Sequence, residues 1–154
     1  MSFNTEQTIA ETINFVQDYF QREYTGHDWW HTYRVWKLAK KISRTERADF
    51  LVIEIAALLH DVGDYKLFNG DEEKGRKTIE KFLNSLNFSP VIANKILFIC
   101  SNISYMKTLS KNDNVNLQEK SKEFMVVSDA DKLDAMGAIG IARAFTYGGY
   151  YHRL

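Results

Sequence analysis

Residues 50–64 read FLVIEIAALLHDVGD, and the change of character at the end of this stretch governs how the rest of the chain is read. Ten residues carrying a single charge, Glu54, run straight into His60, and two aspartates follow within four positions with a glycine between them. As a helix spanning about 47–60, the segment is apolar over most of its surface, which marks it as the central helix of a bundle. His60-Asp61-Val62-Gly63-Asp64 then falls where that helix emerges from the core. A carboxylate in such a place is costly unless it is paired or bound to a metal.

Working outward, apolar residues recur at helical rather than alternating spacing, and the chain contains one proline, so it reads as all-α. Ile9, Ile13, Val16 and Phe20 mark one face of a first helix over about 5–22, and Val35, Leu38, Ala39 and Ile42 mark a second over roughly 28–44, after Gly26. Asp71 can cap a fourth helix that runs to about Leu86. Ser89-Pro90 pairs a capping residue with proline at the first helical position, opening a fifth helix that ends near Asn102. Residues 107–117, KTLSKNDNVNL, are polar and read as an exposed loop. Helical periodicity returns in residues 119–145, in one piece or two, and Tyr147-Gly148-Gly149 is expected to break it. The expected architecture is one helical bundle over residues 1–154, with no internal repeat.

Composition removes several function classes. Twenty basic and twenty acidic residues cancel, so the one-sided field that accompanies nonspecific nucleic-acid or membrane binding is missing, and nucleic acid is not the expected partner. Cys100 is the single cysteine. It lies in the apolar run ILFIC, where a buried core thiol is expected, and it leaves no disulfide framework, which favours a reducing compartment. The N-terminus is polar and periodic, and the most apolar window is short and carries Glu54, so a cytoplasmic protein without a membrane span is expected.

Four histidines and ten aspartates would give about a quarter of one His-Asp dipeptide by composition alone, and two occur, His27-Asp28 and His60-Asp61. A metal site at the second would need further ligands. His31 on the preceding helix and the aspartates Asp129, Asp131 and Asp134 on a late one can supply them, because antiparallel helices joined by a short turn bring residues 31 and 60 to the same end of the bundle. Trp29, Trp30, Trp36, Tyr65 and Phe68 could stack a base, although aromatic residues at this density more often fill a core. Asn69-Gly70 would form a turn beside them.

His31 in HDWWHTYRVWKLA, His60-Asp61 in AALLHDVGD and the aspartates of SDADKLDAMGAIGIARAF, in that order on an all-helical chain, resemble the HD-domain metal-dependent phosphohydrolase superfamily. Residues 24–149 carry the resemblance, and the surrounding words look most like small bacterial HD proteins that act as nucleotide pyrophosphohydrolases. Carried over residue by residue, the likeness implies His31, His60, Asp61 and Asp131 as metal ligands, with Asp129 as the substitute for the fourth. It also implies Asp64 as the residue that activates water. Such relatives usually continue for several helices beyond the glycine pair, whereas this sequence stops at Tyr150-Tyr151-His152-Arg153-Leu154, so the resemblance implies the metal set but not what those helices would provide to the substrate pocket.

Two imidazoles and two carboxylates make a borderline-to-hard site. Mn²⁺ is the first expectation, with Fe²⁺, Ni²⁺, Mg²⁺ and Zn²⁺ also compatible. Cleavage of a phosphate ester or anhydride gathers negative charge that needs cations nearby. Arg34, Lys66 and Lys132 are the candidates, with Arg143 in reserve and His27, four residues before His31, as a further phosphate contact; solvated surface charge is the competing reading for each. The expected substrate is a nucleoside triphosphate split to monophosphate and pyrophosphate. A phosphodiesterase, a nucleotidase or a guanosine tetraphosphate hydrolase would use the same metal site. A non-catalytic helical binding module, in which the aspartates only cap helices, is the reading from another class. The oligomeric state stays open, a homodimer included.

Overall fold

The computed structural model describes residues 4–22, 26, 28–64, 68, 71–103 and 121–153. Among these residues there are seven α-helices and no strand: α1 Thr5–Tyr19, α2 Trp29–Ile42, α3 Phe50–Leu59, α4 Glu72–Ser85, α5 Pro90–Asn102, α6 Lys122–Asp134 and α7 Gly137–Tyr150, with a 3₁₀ turn at Ser43–Thr45. The all-α expectation holds. His27, Tyr65, Lys66, Asn69, Gly70 and the 107–117 loop lie outside the described residues.

The helix starts are set by short polar side chains that accept from orphan backbone N–H groups. Asp28 caps α2 through His31 N–H at 2.8 Å, Asp49 caps α3 through Leu51 and Val52 N–H at 3.0 and 3.2 Å, and Asp71 caps α4 through Lys74 N–H at 3.0 Å. Ser89 and Ser121 do the same for α5 and α6. Capping also separates the two His-Asp dipeptides, since Asp28 terminates a helix whereas Asp61 belongs to the site described below.

The apolar reading of residues 50–59 is realised in α3, where every residue from Val52 to Leu59 is buried. It packs against α1, α2, α5 and α6. Glu54, the one charge on α3, is satisfied by Trp36 Nε1 at 2.8 Å and Lys40 Nζ at 2.9 Å, which places Trp36 in a structural role. Phe15 of α1 stacks on Phe82 of α4 with ring centroids 4.0 Å apart, covering the flank of the bundle. Cys100 packs against the core and its thiol is pushed up to about 12 by burial, so it is unreactive, as its apolar surroundings imply.

The last helical stretch, expected in one piece or two, is in two, divided where Gly137 takes a left-handed φ of 68°. One boundary differs from the sequence expectation. The second piece, α7, does not break at the glycine pair: it runs through Gly148-Gly149 to Tyr150. The stop comes at His152, φ 50°, where Arg153 N–H bonds Gly148 O at 2.8 Å and His152 N–H bonds Gly149 O at 3.2 Å. That pairing is a Schellman termination, so the glycines supply its acceptor carbonyls rather than the break itself. Nothing on α7 is fully buried. No helix among the described residues is long and apolar enough to cross a membrane.

Candidate metal centre

The first turn of α2, the turn after α3 and the last turns of α6 meet at one end of the bundle. His31 Nε2 lies 3.2 Å from His60 Nε2, 3.2 Å from Asp61 Oδ2 and 3.4 Å from Asp131 Oδ1. His60 Nε2 is 3.5 Å from Asp61 Oδ1 and 3.7 Å from Asp131 Oδ1. Ligand atoms of His31, His60 and Asp131 all fall within 4.8 Å of one another, and Asp61 touches both rings with different oxygens. Both imidazoles are about 1% exposed, Asp61 is 10% exposed and Asp131 26%, so the cluster opens to solvent on its Asp131 side.

The ring orientations are fixed from behind. His60 Nδ1 donates to the Ala57 carbonyl at 2.8 Å; a carbonyl can only accept, so the hydrogen sits on Nδ1 and the Nε2 lone pair faces the cluster. His31 Nδ1 is 2.7 Å from Asp134 Oδ2. Asp134 is buried, which by itself would raise its carboxyl pKa. The hydrogen bonds and charges of His31 and Arg34 prevail and hold it well below the usual carboxylate range, so it accepts from His31. Arg34 grips the same carboxylate with two donors, Nε to Oδ1 at 2.6 Å and Nη2 to Oδ2 at 3.0 Å. Arg143 of α7 adds Nη1 at 3.3 Å and ties Gly26 O through Nε at 2.9 Å.

Two inward-facing imidazole nitrogens and two carboxylates leave electron-rich atoms pointing at each other, an arrangement that favours a cation between them. Burial lowers the pKa of His31, but the hydrogen bonds its ring donates to Asp131, Asp134 and Asp61 outweigh burial and raise it to about 10. The proton thus held is displaceable by a metal ion. Separations of 3.2–3.7 Å are near the edge length of about 3 Å expected between neighbouring ligands of a six-coordinate ion with bonds of 2.0–2.1 Å. The donor set fits a divalent metal in charge, softness and spacing.

Asp129 is exposed, on the side of α6 away from the histidines, so Asp131 is the aspartate brought to them. Asp64 is half-buried just beyond the cluster, its N–H bonding Asp61 O at 3.1 Å. Lys132 is half-buried next to Asp131. Arg34, expected from sequence to contact substrate phosphate, is placed behind His31 with two of its donors on Asp134. Its pKa is raised by that contact, which outweighs burial. Trp29 packs against the core, Trp30 is exposed, and half-buried Phe68 carries Lys74 Nζ 5.7 Å from its ring centroid. What sequence reasoning missed is Asp134 as the anchor of His31. A signal was available: Arg34 follows His31 by three residues and Asp134 follows Asp131 by three, two same-face pairs on facing helices.

The HD domain family matches residues 29–136, and the chain belongs to that family. Among its relatives is YpgQ of Bacillus subtilis, 38% identical over 146 residues that cover 91% of this chain and 66% of that protein. The crystal structure of YpgQ in complex with ADP aligns with a TM-score of 0.74 at 33% identity, covering 97% of this chain and 70% of that one. An HD-superfamily hydrolase from Bacillus thuringiensis aligns with a TM-score of 0.73 at 38% identity, over 98% of this chain and 70% of that one. A Lactobacillus plantarum protein aligns with a TM-score of 0.82 at 31% identity, over 96% of this chain and 65% of that one. The chain therefore spans about two thirds of the length of these relatives.

Proposed function

We propose that this chain is a metal-dependent phosphohydrolase that cleaves nucleoside triphosphates to monophosphate and pyrophosphate. The observation that carries the reading is the convergence of His31, His60, Asp61 and Asp131 on one point, with both imidazoles turned inward by acceptors at their Nδ1 atoms. A relative crystallised with ADP supports a nucleotide substrate, and a solved HD-superfamily hydrolase supports hydrolysis.

The four residues would hold one divalent ion, Mn²⁺ in the first instance, with Fe²⁺, Ni²⁺, Mg²⁺ or Zn²⁺ as substitutes. When bound, the ion supplies Lewis-acid polarisation of a phosphoryl oxygen and a lowered pKa for a coordinated water. Asp64 accepts the proton as the water oxygen bonds to the α-phosphorus. The bond from that phosphorus to the bridging oxygen breaks, and pyrophosphate leaves with the electron pair. Lys132 faces the developing charge beside Asp131, with Lys66 and His27 as further phosphate contacts. Arg34 acts through Asp134, keeping the Nε2 of His31 aimed inward.

Incubation with Mn²⁺ and each deoxynucleoside triphosphate, followed by separation of products, tests the substrate. Monophosphate and pyrophosphate appearing together are expected. Orthophosphate released from monophosphates, with triphosphates untouched, would transfer the site to a nucleotidase reading.

A further inference from the structure

Helix α4 carries no residue of the cluster, yet it touches the turn that carries two of them, His60 and Asp61, together with Asp64. Gly75 of α4 is buried against Gly63, two residues after Asp61 and one before Asp64. A Cβ built on Gly75 would stand 2.9 Å from both Gly63 C and Gly63 Cα and closer still to Gly63 O, distances that real Cβ atoms do not adopt. Every obstructing atom is backbone, so no side chain can swing aside. From the other side, a Cβ on Gly63 would stand 2.9 Å from Ile79 Cδ1, the flexible end of a side chain one turn further along α4. The turn itself is tight, with Val62 N–H on Leu59 O at 3.0 Å and Asp64 N–H on Asp61 O at 3.1 Å, so displacement of Gly63 is passed to both aspartates. In isolation, α4 would gain from alanine at position 75, since glycine is among the poorest helix formers. The close approach explains why glycine stands there.

We infer that Gly75 is a positioning residue: backbone-to-backbone seating of α4 on Gly63 sets the placement of His60, Asp61 and Asp64. The metal role of those residues rests on the proposed function, but the placement does not. Sites of this kind require their groups to be held within about 0.5 Å, and a Cβ at position 75 forces a shift of at least that size.

The test compares Gly75→Ala with two controls. Gly149→Ala adds a methyl to a helical glycine with nothing within 4 Å, and Leu83→Val loosens buried packing on α4 away from Gly63. Two readouts are taken: the side-chain imidazole NMR signals of the metal-free protein, which has only four histidines, and Mn²⁺ affinity by calorimetry. In Gly75→Ala the His60 signals should move and Mn²⁺ affinity should fall at least tenfold, while both controls keep the wild-type values whatever their melting temperatures. Should Gly75→Ala fail to fold, Gly63→Ala with and without Ile79→Val replaces it. Gly63→Ala should displace the His60 signals, and Ile79→Val, which deletes the obstructing Cδ1, should restore them. Unchanged His60 signals in Gly75→Ala, or in the Gly63→Ala pair, overturn the inference. Absence of Mn²⁺ binding in the wild type counts against the proposed function alone, because the metal-free signals still decide the placement.

Discussion

Replacing Asp134 with asparagine keeps the shape of the side chain and removes its charge, and the surroundings leave the amide no satisfactory orientation. Asp134 Oδ1 accepts from Arg34 Nε, and Oδ2 accepts from His31 Nδ1, Arg34 Nη2 and Arg143 Nη1. With the amide oxygen at the Oδ2 position, its NH₂ confronts Arg34 Nε across 2.6 Å, donor against donor. Turned over, the NH₂ confronts His31 Nδ1 and drives the ring hydrogen to Nε2, where it points into the cluster and removes His31 as a ligand. Losing a partner that orients a metal-binding histidine typically lowers metal affinity 10–100-fold, or about 1.4–2.8 kcal/mol. Removing one partner of a buried ion pair costs about 3–5 kcal/mol. Arg34 is 33% exposed and Arg143 20%, so water recovers part of this and about 2–3 kcal/mol of fold stability should be lost. For a domain of this size that lowers the melting temperature by roughly 4–12 °C. Calorimetric Mn²⁺ titration and a thermal melt of Asp134→Asn measure both. Affinity within threefold of wild type together with an unchanged melt would refute the reasoning.

Asp64→Asn should retain the metal and lose roughly two to four orders of magnitude in turnover, the usual scale for a general base; metal and activity lost together would make Asp64 a ligand instead. Glu123 gives a pH prediction distant from the cluster. Burial alone would raise its pKa, but the Asp49 N–H bonded at 2.9 Å, Ser121 and neighbouring charge lower it overall. Its folded pKa thus lies below its unfolded value. The stability it contributes is present above the ordinary carboxylate range of about 4.3 and is lost as pH falls through the depressed folded value. Glu123→Gln should therefore be less stable than wild type by about 1 kcal/mol near neutrality, with the gap closing as pH falls below the ordinary carboxylate range; urea melts showing a pH-independent gap would contradict this.

The core was legible because α3 announces itself: ten residues with one charge can only be central, and the neighbouring stripes at Ile9–Val16 and Val35–Ile42 needed just such a surface to cover. His31 and His60 could be brought together from helix direction and turn length alone. The function of each surrounding charge was harder to read, because spacing fixes the helix face a residue occupies but not the partner opposite. Arg34 shares a face with His31, and only the arrival of α6 determines that it meets Asp134 behind the ring. Likewise His27-Asp28 and His60-Asp61 are the same dipeptide in sequence, separated by whether the aspartate precedes a helix, where it caps, or follows one, where its oxygens are left to the cluster. The glycine pair at 148–149 misled because glycine both weakens helices and supplies their terminations, and the residue that stops α7, His152, carries no such signal.

Metal stoichiometry tests the central claim most directly. Purified chain titrated with Mn²⁺ should bind one ion per molecule, and His60→Ala, Asp61→Ala and Asp131→Asn should each lose that ion with the helical fold intact, because a four-ligand set has no spare donor. Asp129→Asn should bind as the wild type does. Full occupancy in His60→Ala or Asp61→Ala, or no stoichiometric divalent ion in the wild type, would contradict the account.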